Sequence, residues 1–258
     1  MAIELAGKSV FLTGGSRGIG RAILGAMLSK GARVLFCNAN ADRGREAEEF
    51  MKKKYGVDDV IFRQCDVRNA DQLKKCFGEA VSTFGAVDIC VNNAGLVDEK
   101  KWEKAIAVNT TAQIRGSLLA LEHMRRDKGG RGGIIVNMSS IAGLMPIYNG
   151  PVYCATKHAI KHPKMKEFGV RWHCVCPGPI DTDFHNIVEG HIMDPQVIRD
   201  MFSQLMMDPS DFGEEFLKII QNESTDDVIT EVWKGKGVVY RKRLLVDSDG
   251  ESNKMPVD

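Results

Sequence analysis

Tyr153 and Lys157 stand four positions apart in "YCATK" (153–157), so on a helix they share one face. An alcohol that surrenders a hydride must also lose its hydroxyl proton, which calls for a base. A free tyrosine, with a pKa of about 10, is too weak for that at neutral pH. An ammonium about 4 Å from the phenol, at an effective dielectric near 20, contributes roughly 4 kcal/mol. That lowers the pKa by about three and brings the phenolate near pH 7. Ser140 ends the apolar run "GIIVNMSS" and can hold a substrate oxygen beside Tyr153, with Ser139 adjacent to it. Taken alone, a tyrosine and a lysine at this spacing equally describe a solvated helix face. The pair gains meaning only from what surrounds it.

A second constellation, "TGGSRGIG" (13–20), leaves one apolar run and opens a helical pattern. Gly14, Gly18 and Gly20 let the backbone turn sharply and approach a pyrophosphate, whose charge meets the helix N-terminus. A glycine-rich turn by itself is a common strand-to-helix connection. Placed after the first strand of an alternating α/β pattern, it points to a dinucleotide.

The elements that must carry these groups follow from periodicity. Runs at 9–13, 33–38, 60–66, 88–93, 133–139 and 171–177 read as strands, with a last one near 231–237. Helical patterns fill 18–30, 42–54, 69–84, 101–126 and 152–168, with shorter amphipathic pieces near 195–207 and 211–222. Strands apolar at nearly every position are buried on both faces. Right-handed β-α-β crossovers then give an α/β fold, a single doubly wound parallel sheet (Rossmann-like) with helices on both faces. Residues 1–240 are expected to form one dinucleotide-binding and catalytic domain, and the polar tail 241–258 to fray.

The ordered set "TGGSRGIG", "NNAG" (92–95), Asn109, Ser140, "YCATK" and "PGPIDT" (177–182) resembles the short-chain dehydrogenase/reductase family over about residues 5–182. Within it, "EKKWEKAIAVN" and "GGIIVNMSSIAGLMPIYNGPVYCATKHAI" are similar to the 15-hydroxyprostaglandin dehydrogenase branch and its insect alcohol dehydrogenase-like relatives. The resemblance selects Ser140 over Ser139 and implies a catalytic set of Asn109, Ser140, Tyr153 and Lys157. It gives Asn109 the holding of a water that relays protons through Lys157. It implies that the cofactor meets Gly14, Ser16, Arg17, Gly18, Ile19 and Gly20 at the turn, and Asn38, Asp66 and Val67 beyond the second and third strands. Asn93, Ala94, Gly95, Pro177, Gly178, Ile180 and Thr182, with Tyr153 and Lys157, complete that surface. The implied reaction is hydride transfer between NAD(P)(H) and a secondary alcohol or ketone of a hydrophobic, prostaglandin-, lipid- or steroid-like substrate.

Two departures bear on specificity. An acidic residue at the end of the second strand would bind the adenosine ribose and repel a 2′-phosphate. This chain has Asn38 there and Arg17 in the turn, so the resemblance implies NAD while the local residues permit NADP. Gly150 stands three before Tyr153, where the prostaglandin enzymes have a glutamine facing the substrate hydroxyl. Ile192, Met193, Ile198, Met201, Phe202, Leu205 and Met206 offer soft side chains for an apolar pocket, or for packing on the sheet.

The totals exclude other classes. A formal charge of +1 over 258 residues gives no reason to expect nucleic acid or a membrane surface, and "RKR" (241–243) reads as a solvated tail. The seven cysteines contain no C-x-x-C and suit reduced thiols of a cytoplasmic protein; Cys174 and Cys176 are assigned to opposite faces of their strand. His158 and His162 lack the glutamate and third ligand of a zinc helix, so no metal is expected. The N-terminus shows no signal-peptide pattern, and no run of about 18 apolar residues is present to span a bilayer.

One feature cuts against the family pattern. "GVR" (169–171) arrives about three helical turns after Tyr153, roughly two turns earlier than in family members. Pro163 interrupts the segment, which is charged ("KHPKMKEF") where family members bury this helix against a second subunit. The family implies a homodimer. The shortening predicts a kink near Pro163, impaired dimerisation and weak or absent activity, which makes a dinucleotide-binding sensor or partner protein the alternative.

Overall fold

In the computed structural model, one sheet takes the order β3-β2-β1-β4-β5-β6-β7-β8. Its strands are β1 (Ser9–Thr13), β2 (Arg33–Asn38), β3 (Val60–Gln64), β4 (Ile89–Asn92), β5 (Gly133–Met138), β6 (Val170–Pro177), β7 (Ile229–Trp233) and β8 (Gly237–Arg241). The structure describes residues 3–145, 150–160, 166–183, 200, 202–223 and 229–241. Every neighbouring pair from β3 to β7 is parallel, and β8 closes antiparallel on β7. The chain builds outward from β1 to β3 and then returns to place β4 against β1. At that reversal the connections leave in opposite directions, and their carboxyl ends frame a crevice.

Successive strand residues point to opposite faces, and the two cores divide accordingly. Val10, Leu12, Val34, Phe36, Ile89 and Val91 pack with Ile23, Met27 and Phe216 in one core. These last come from helices α1 (Gly18–Ser29) and α7 (Pro209–Gln221), and Met51 of α2 (Ala41–Tyr55) joins them. Phe11, Leu35, Cys90 and Ile135 pack in the other core with Phe77 of α3 (Ala70–Phe84) and Ala120 and Met124 of α5 (Ala112–Met124). Side-chain caps set where two of these helices begin: Asn40 Oδ1 accepts the Arg43 N–H, and Asn69 Oδ1 accepts those of Asp71 and Gln72.

The structure departs from the sequence reading at five places, the first being the helix expected over 152–168, which ends at His158, with a 3-10 turn at Lys166–Phe168. The helix expected over 101–126 is α4 (Trp102–Ile106), a π-helical turn (Ala107–Thr111) and then α5. The single final strand is a hairpin, because "KGKG" turns the chain at Gly235 (φ 76°) and Gly237 (φ 67°) and lets β8 cover the edge of β7. Arg241, counted with the tail, ends β8 and pairs with Glu231. Cys174 and Cys176 lie on the same face, as residues two apart on a strand must, and the Cys174 thiol donates to the Ile160 carbonyl at 3.0 Å.

Helix α6 (Pro151–His158) begins with proline in its first turn and has eight residues. It stops before Pro163, which lies outside the described residues together with Ile192, Met193, Ile198, Met201 and the tail 242–258. A short 3-10 turn, Lys166–Phe168, then leads into β6.

Candidate active site

A cavity of about 830 Å³ opens at the carboxyl ends of the strands, near the upper end of the size range of small-molecule sites. One end is the turn between β1 and α1. Gly14 (φ 73°) and Gly18 (φ 52°) occupy the left-handed region, where a side chain is strained. A Cβ on Gly20 would lie 2.0 Å from the Gly14 carbonyl oxygen. No side chain caps the N-terminus of α1, so its first N–H groups face the cavity. Ser16 Oγ is buried and has no hydrogen-bond partner within the chain. An uncapped helix N-terminus and a turn with no room for side chains fit an anionic pyrophosphate.

Thr13 fastens this turn to the end of β4. Its Oγ1 accepts the N–H groups of Asn93 and Ala94, both at 3.0 Å. Asn93 Nδ2 returns hydrogen bonds to the carbonyls of Thr13 (3.0 Å) and Gly14 (3.1 Å). Beyond β2 and β3 the wall holds Asn38, Asp66 and Val67. The Asn38 amide donates to the Asn40 carbonyl at 3.3 Å. A side-chain hydrogen bond from Arg68 holds the Asp66 carboxyl below its ordinary pKa. Arg17 is lowered by burial and by the nearby Arg43, while Asp183 acts in the opposite direction. Arg17 shares the cavity wall with Asn38, where the acidic residue is missing, and Arg43 lies near enough to act on it.

At the other end α6 brings Tyr153 and Lys157 onto the cavity wall, where both are buried, with Ser140 beside them. Ser140 follows β5 and caps a 3-10 turn, its Oγ accepting the Ala142 N–H at 3.2 Å; it also hydrogen-bonds to Tyr153. The Ser139 hydroxyl is spent on the Lys157 carbonyl at 2.7 Å. Lys157 Nζ donates to the Met138 carbonyl at 2.9 Å and lies 5.7 Å from the centre of the Tyr153 ring. Burial pushes the Tyr153 phenol up to about 12, against the Ser140 hydrogen bond that eases it, and lowers the Lys157 ammonium to about 8. The expected lowering of the phenol by Lys157 does not appear: the Lys157 ammonium is engaged by the Met138 carbonyl, and burial raises the phenol.

Asn109 sits in the π-helical turn, fully buried and off the cavity wall. Its Oδ1 accepts the Leu96 N–H (2.9 Å), and its Nδ2 donates to the Leu96 carbonyl (2.8 Å) and to Thr156 Oγ1 (3.1 Å). It ties the loop after β4 to α6. Gly95 lies between Asn109 Oδ1 and Lys157 Nζ, since a Cβ there would be 3.5 Å from each.

Of the residues expected to meet a cofactor, all but Ser16 line the cavity. Pro177 ends β6, Gly178, Ile180 and Thr182 come from the loop after it, and Ile180 bridges to Met207. Residues not anticipated there include Cys37, Cys65, Lys104, Met145 and Trp233. Gly150, Phe202 and Leu205 are on the wall as well. Among the described residues no helix is long and apolar enough to cross a membrane.

Residues 8–191 match the short chain dehydrogenase family model. The human 15-hydroxyprostaglandin dehydrogenase [NAD(+)] is 35% identical over 250 residues, covering 91% of this chain and 94% of that protein. The 3beta-hydroxysteroid dehydrogenase 2 of Eggerthella lenta is 33% identical over 197 residues, covering 69% and 73%. An alcohol dehydrogenase of Thermococcus sibiricus, solved with 5-hydroxy-NADP, superposes with a TM-score of 0.73 at 24% identity, over 88% of this chain and 97% of that one. The chain belongs to the short-chain dehydrogenase family of oxidoreductases.

Proposed function

We propose that this protein is an NAD(P)-dependent dehydrogenase/reductase acting on a secondary alcohol or the corresponding ketone of a hydrophobic molecule. The observation that carries the reading is the shared cavity: the glycine turn walls one end, and Ser140, Tyr153 and Lys157 the other. The chemistry supplied by a bound dinucleotide is hydride acceptance or donation at its nicotinamide. Ser140 and Tyr153 hold the substrate oxygen between them, and Tyr153 takes or returns the hydroxyl proton. Lys157 supplies positive charge next to the phenol once its ammonium turns from the Met138 carbonyl. Asn109 holds the Leu96 loop against α6, and a water next to it would carry protons to Lys157. Met145, Phe202 and Leu205 favour an apolar substrate, in keeping with relatives named for a prostaglandin and a steroid.

The test is turnover of a panel of secondary alcohols and ketones, including hydroxy-fatty acids, prostaglandins and steroids, with each dinucleotide. Tyr153→Phe should abolish turnover while sparing cofactor binding. Ser140→Ala should cost about a hundredfold or more, the scale of a lost transition-state donor. Brisk activity in Tyr153→Phe would remove this mechanism.

A second reading, a dinucleotide-binding relative with little activity, is favoured by the eight-residue α6 and by the phenol held near 12. Tight NADH binding without turnover of any panel member would select it.

A further inference from the structure

Three cysteines converge below the cavity from three separate elements. Cys37 lies in β2, Cys65 follows β3, and Cys76 comes from α3. The parallel pairing of β2 with β3 aligns Asn38 with Gln64, and the Cys65 N–H then donates to the Asn38 carbonyl at 3.0 Å. Helix α3 packs over this end of the sheet and lowers Cys76 onto the pair. The three Sγ atoms lie within 4.8 Å of one another, the only such group of His, Cys, Asp or Glu among the described residues.

We propose that Cys37, Cys65 and Cys76 form a three-thiolate site for a thiophilic divalent cation of the zinc class. A zinc–sulfur bond of about 2.3 Å in tetrahedral geometry separates the sulfurs by about 3.8 Å, so a small closure of the trio seats the ion. Cys37 and Cys65 also belong to the cavity wall, which leaves the fourth position toward the cavity for water. Three protein ligands and one open position is the arrangement of accessible zinc sites. Asp66 does not compete as a ligand, because Arg68 engages both of its carboxylate oxygens.

Buried thiols often act only as small apolar side chains. Here the three sulfurs, from three separate elements, meet each other rather than apolar neighbours alone. Binding releases the protons of the three thiols, so affinity rises with pH. Asn38 follows Cys37 and Asp66 follows Cys65, so drawing the sulfurs together displaces both. Ion and dinucleotide therefore oppose each other reciprocally. This second half rests on reading that end of the cavity as the dinucleotide site; the ion site itself does not.

The experiment uses the full-length, reduced protein and Cd²⁺ as probe. One equivalent should give the ultraviolet thiolate-to-metal charge-transfer band, removed by excess EDTA and also formed when Cd²⁺ displaces Zn²⁺ bound beforehand. Cadmium absorption spectroscopy of the wild type should count three sulfur neighbours; two or fewer overturns the site, with no variant required. The band should vanish in Cys76→Ser and in Cys76→Ala, each checked for folding by circular dichroism, and a full band in either folded variant also overturns it. NADH titrated into the Cd²⁺-loaded protein should bind about tenfold more weakly than to the metal-free protein, within the usual range for coupled sites. Equal affinity with an intact band overturns the coupling alone. Failure of NADH to bind either form would instead count against the dinucleotide reading.

Discussion

The Glu99 carboxylate accepts the backbone N–H of Tyr153 at 2.8 Å through one oxygen and that of Val152 at 2.9 Å through the other. The loop after β4 is thereby fastened to the first turn of the helix that carries the tyrosine. The N–H groups of a first helical turn have no partner within the helix, and a carboxylate there also meets the positive end of the helix dipole.

Glu99→Ala should cost about 1–2 kcal/mol, the scale of a lost helix cap, read as a lower melting temperature. It should also reduce turnover more than it weakens NADH binding, because it loosens Tyr153 and leaves the glycine turn alone. Glu99→Gln retains one acceptor oxygen and should recover part of both. Wild-type stability and turnover in Glu99→Ala would show that the contact does not position the helix.

Glu99 was not legible in the sequence. It stands in "VDEKKWEK", where any carboxylate could be a solvated loop charge, and its partners are main-chain groups 53 and 54 residues away. Thr13 escaped for a similar reason, since nothing local tells a strand-end threonine to bind the backbone of residues 93 and 94. The strands before β7 were readable because each carries a short apolar or β-branched run, as in Val10–Leu12, Val34–Cys37 and Ile134–Val136, buried on both faces in the central strands. The β7–β8 hairpin was not, because β8 is a half-exposed edge strand with few core residues. The electrostatic expectation for Tyr153 failed for want of burial: sequence places Lys157 one turn away but does not show how far both groups are withdrawn from water. The three-cysteine cluster needs strand register and helix packing together, which spacing alone cannot supply.

Gly18→Val should weaken both NADH and NADPH. At φ 52° a β-branched residue is strained, and its Cβ would stand 3.3 Å from Thr182 Cγ2, on the cavity wall. Fluorescence titration checks this, and parental affinity for both dinucleotides would remove the turn as the phosphate site.

Lys157 should leave a signature in the pH dependence of stability. Its ammonium falls from 10.5 to about 8 because folding buries it. Between those values the unfolded chain holds the proton and the folded chain does not, so stability rises with pH across that window. Below pH 8 both forms are protonated and the folded state bears the whole cost of burial, about 3 kcal/mol at most. Tyr153 adds no slope below about pH 9, where its phenol is neutral in both states; above that the unfolded phenol ionises first and opposes the gain, a contribution common to wild type and Lys157→Met. Wild type should therefore gain on Lys157→Met between pH 8 and 10.5 in denaturant melts, and parallel curves would contradict the buried ammonium.

Asn38 should leave the protein with weak discrimination between NADH and NADPH. Asn38→Asp should favour NADH by setting a carboxylate against the 2′-phosphate. Arg17→Ala should weaken NADPH more than NADH, and Arg43→Ala should follow it, because the two guanidiniums lie close enough for Arg43 to lower Arg17. A parent already preferring NADH a thousandfold would show that other residues select the cofactor.

Association between copies sets the last expectation. The dimer that the family resemblance implies would use the helix after the Tyr/Lys pair, and here α6 has only eight residues. The neighbouring outer face nevertheless keeps an apolar stripe: Trp102, Ile106, Ile114 and Leu118 are exposed, Leu118 by 58%. Their spacings of four, eight and four align them along α4 and α5. With one helix short and the stripe intact, the expected state is a concentration-dependent monomer–dimer equilibrium. Light scattering over a dilution series measures it, and Leu118→Lys should shift it to monomer with a melting temperature close to the wild type measured as monomer. A dimer that survives every dilution would show that the shortened segment does not weaken the interface. An unchanged equilibrium in Leu118→Lys would remove the stripe from it.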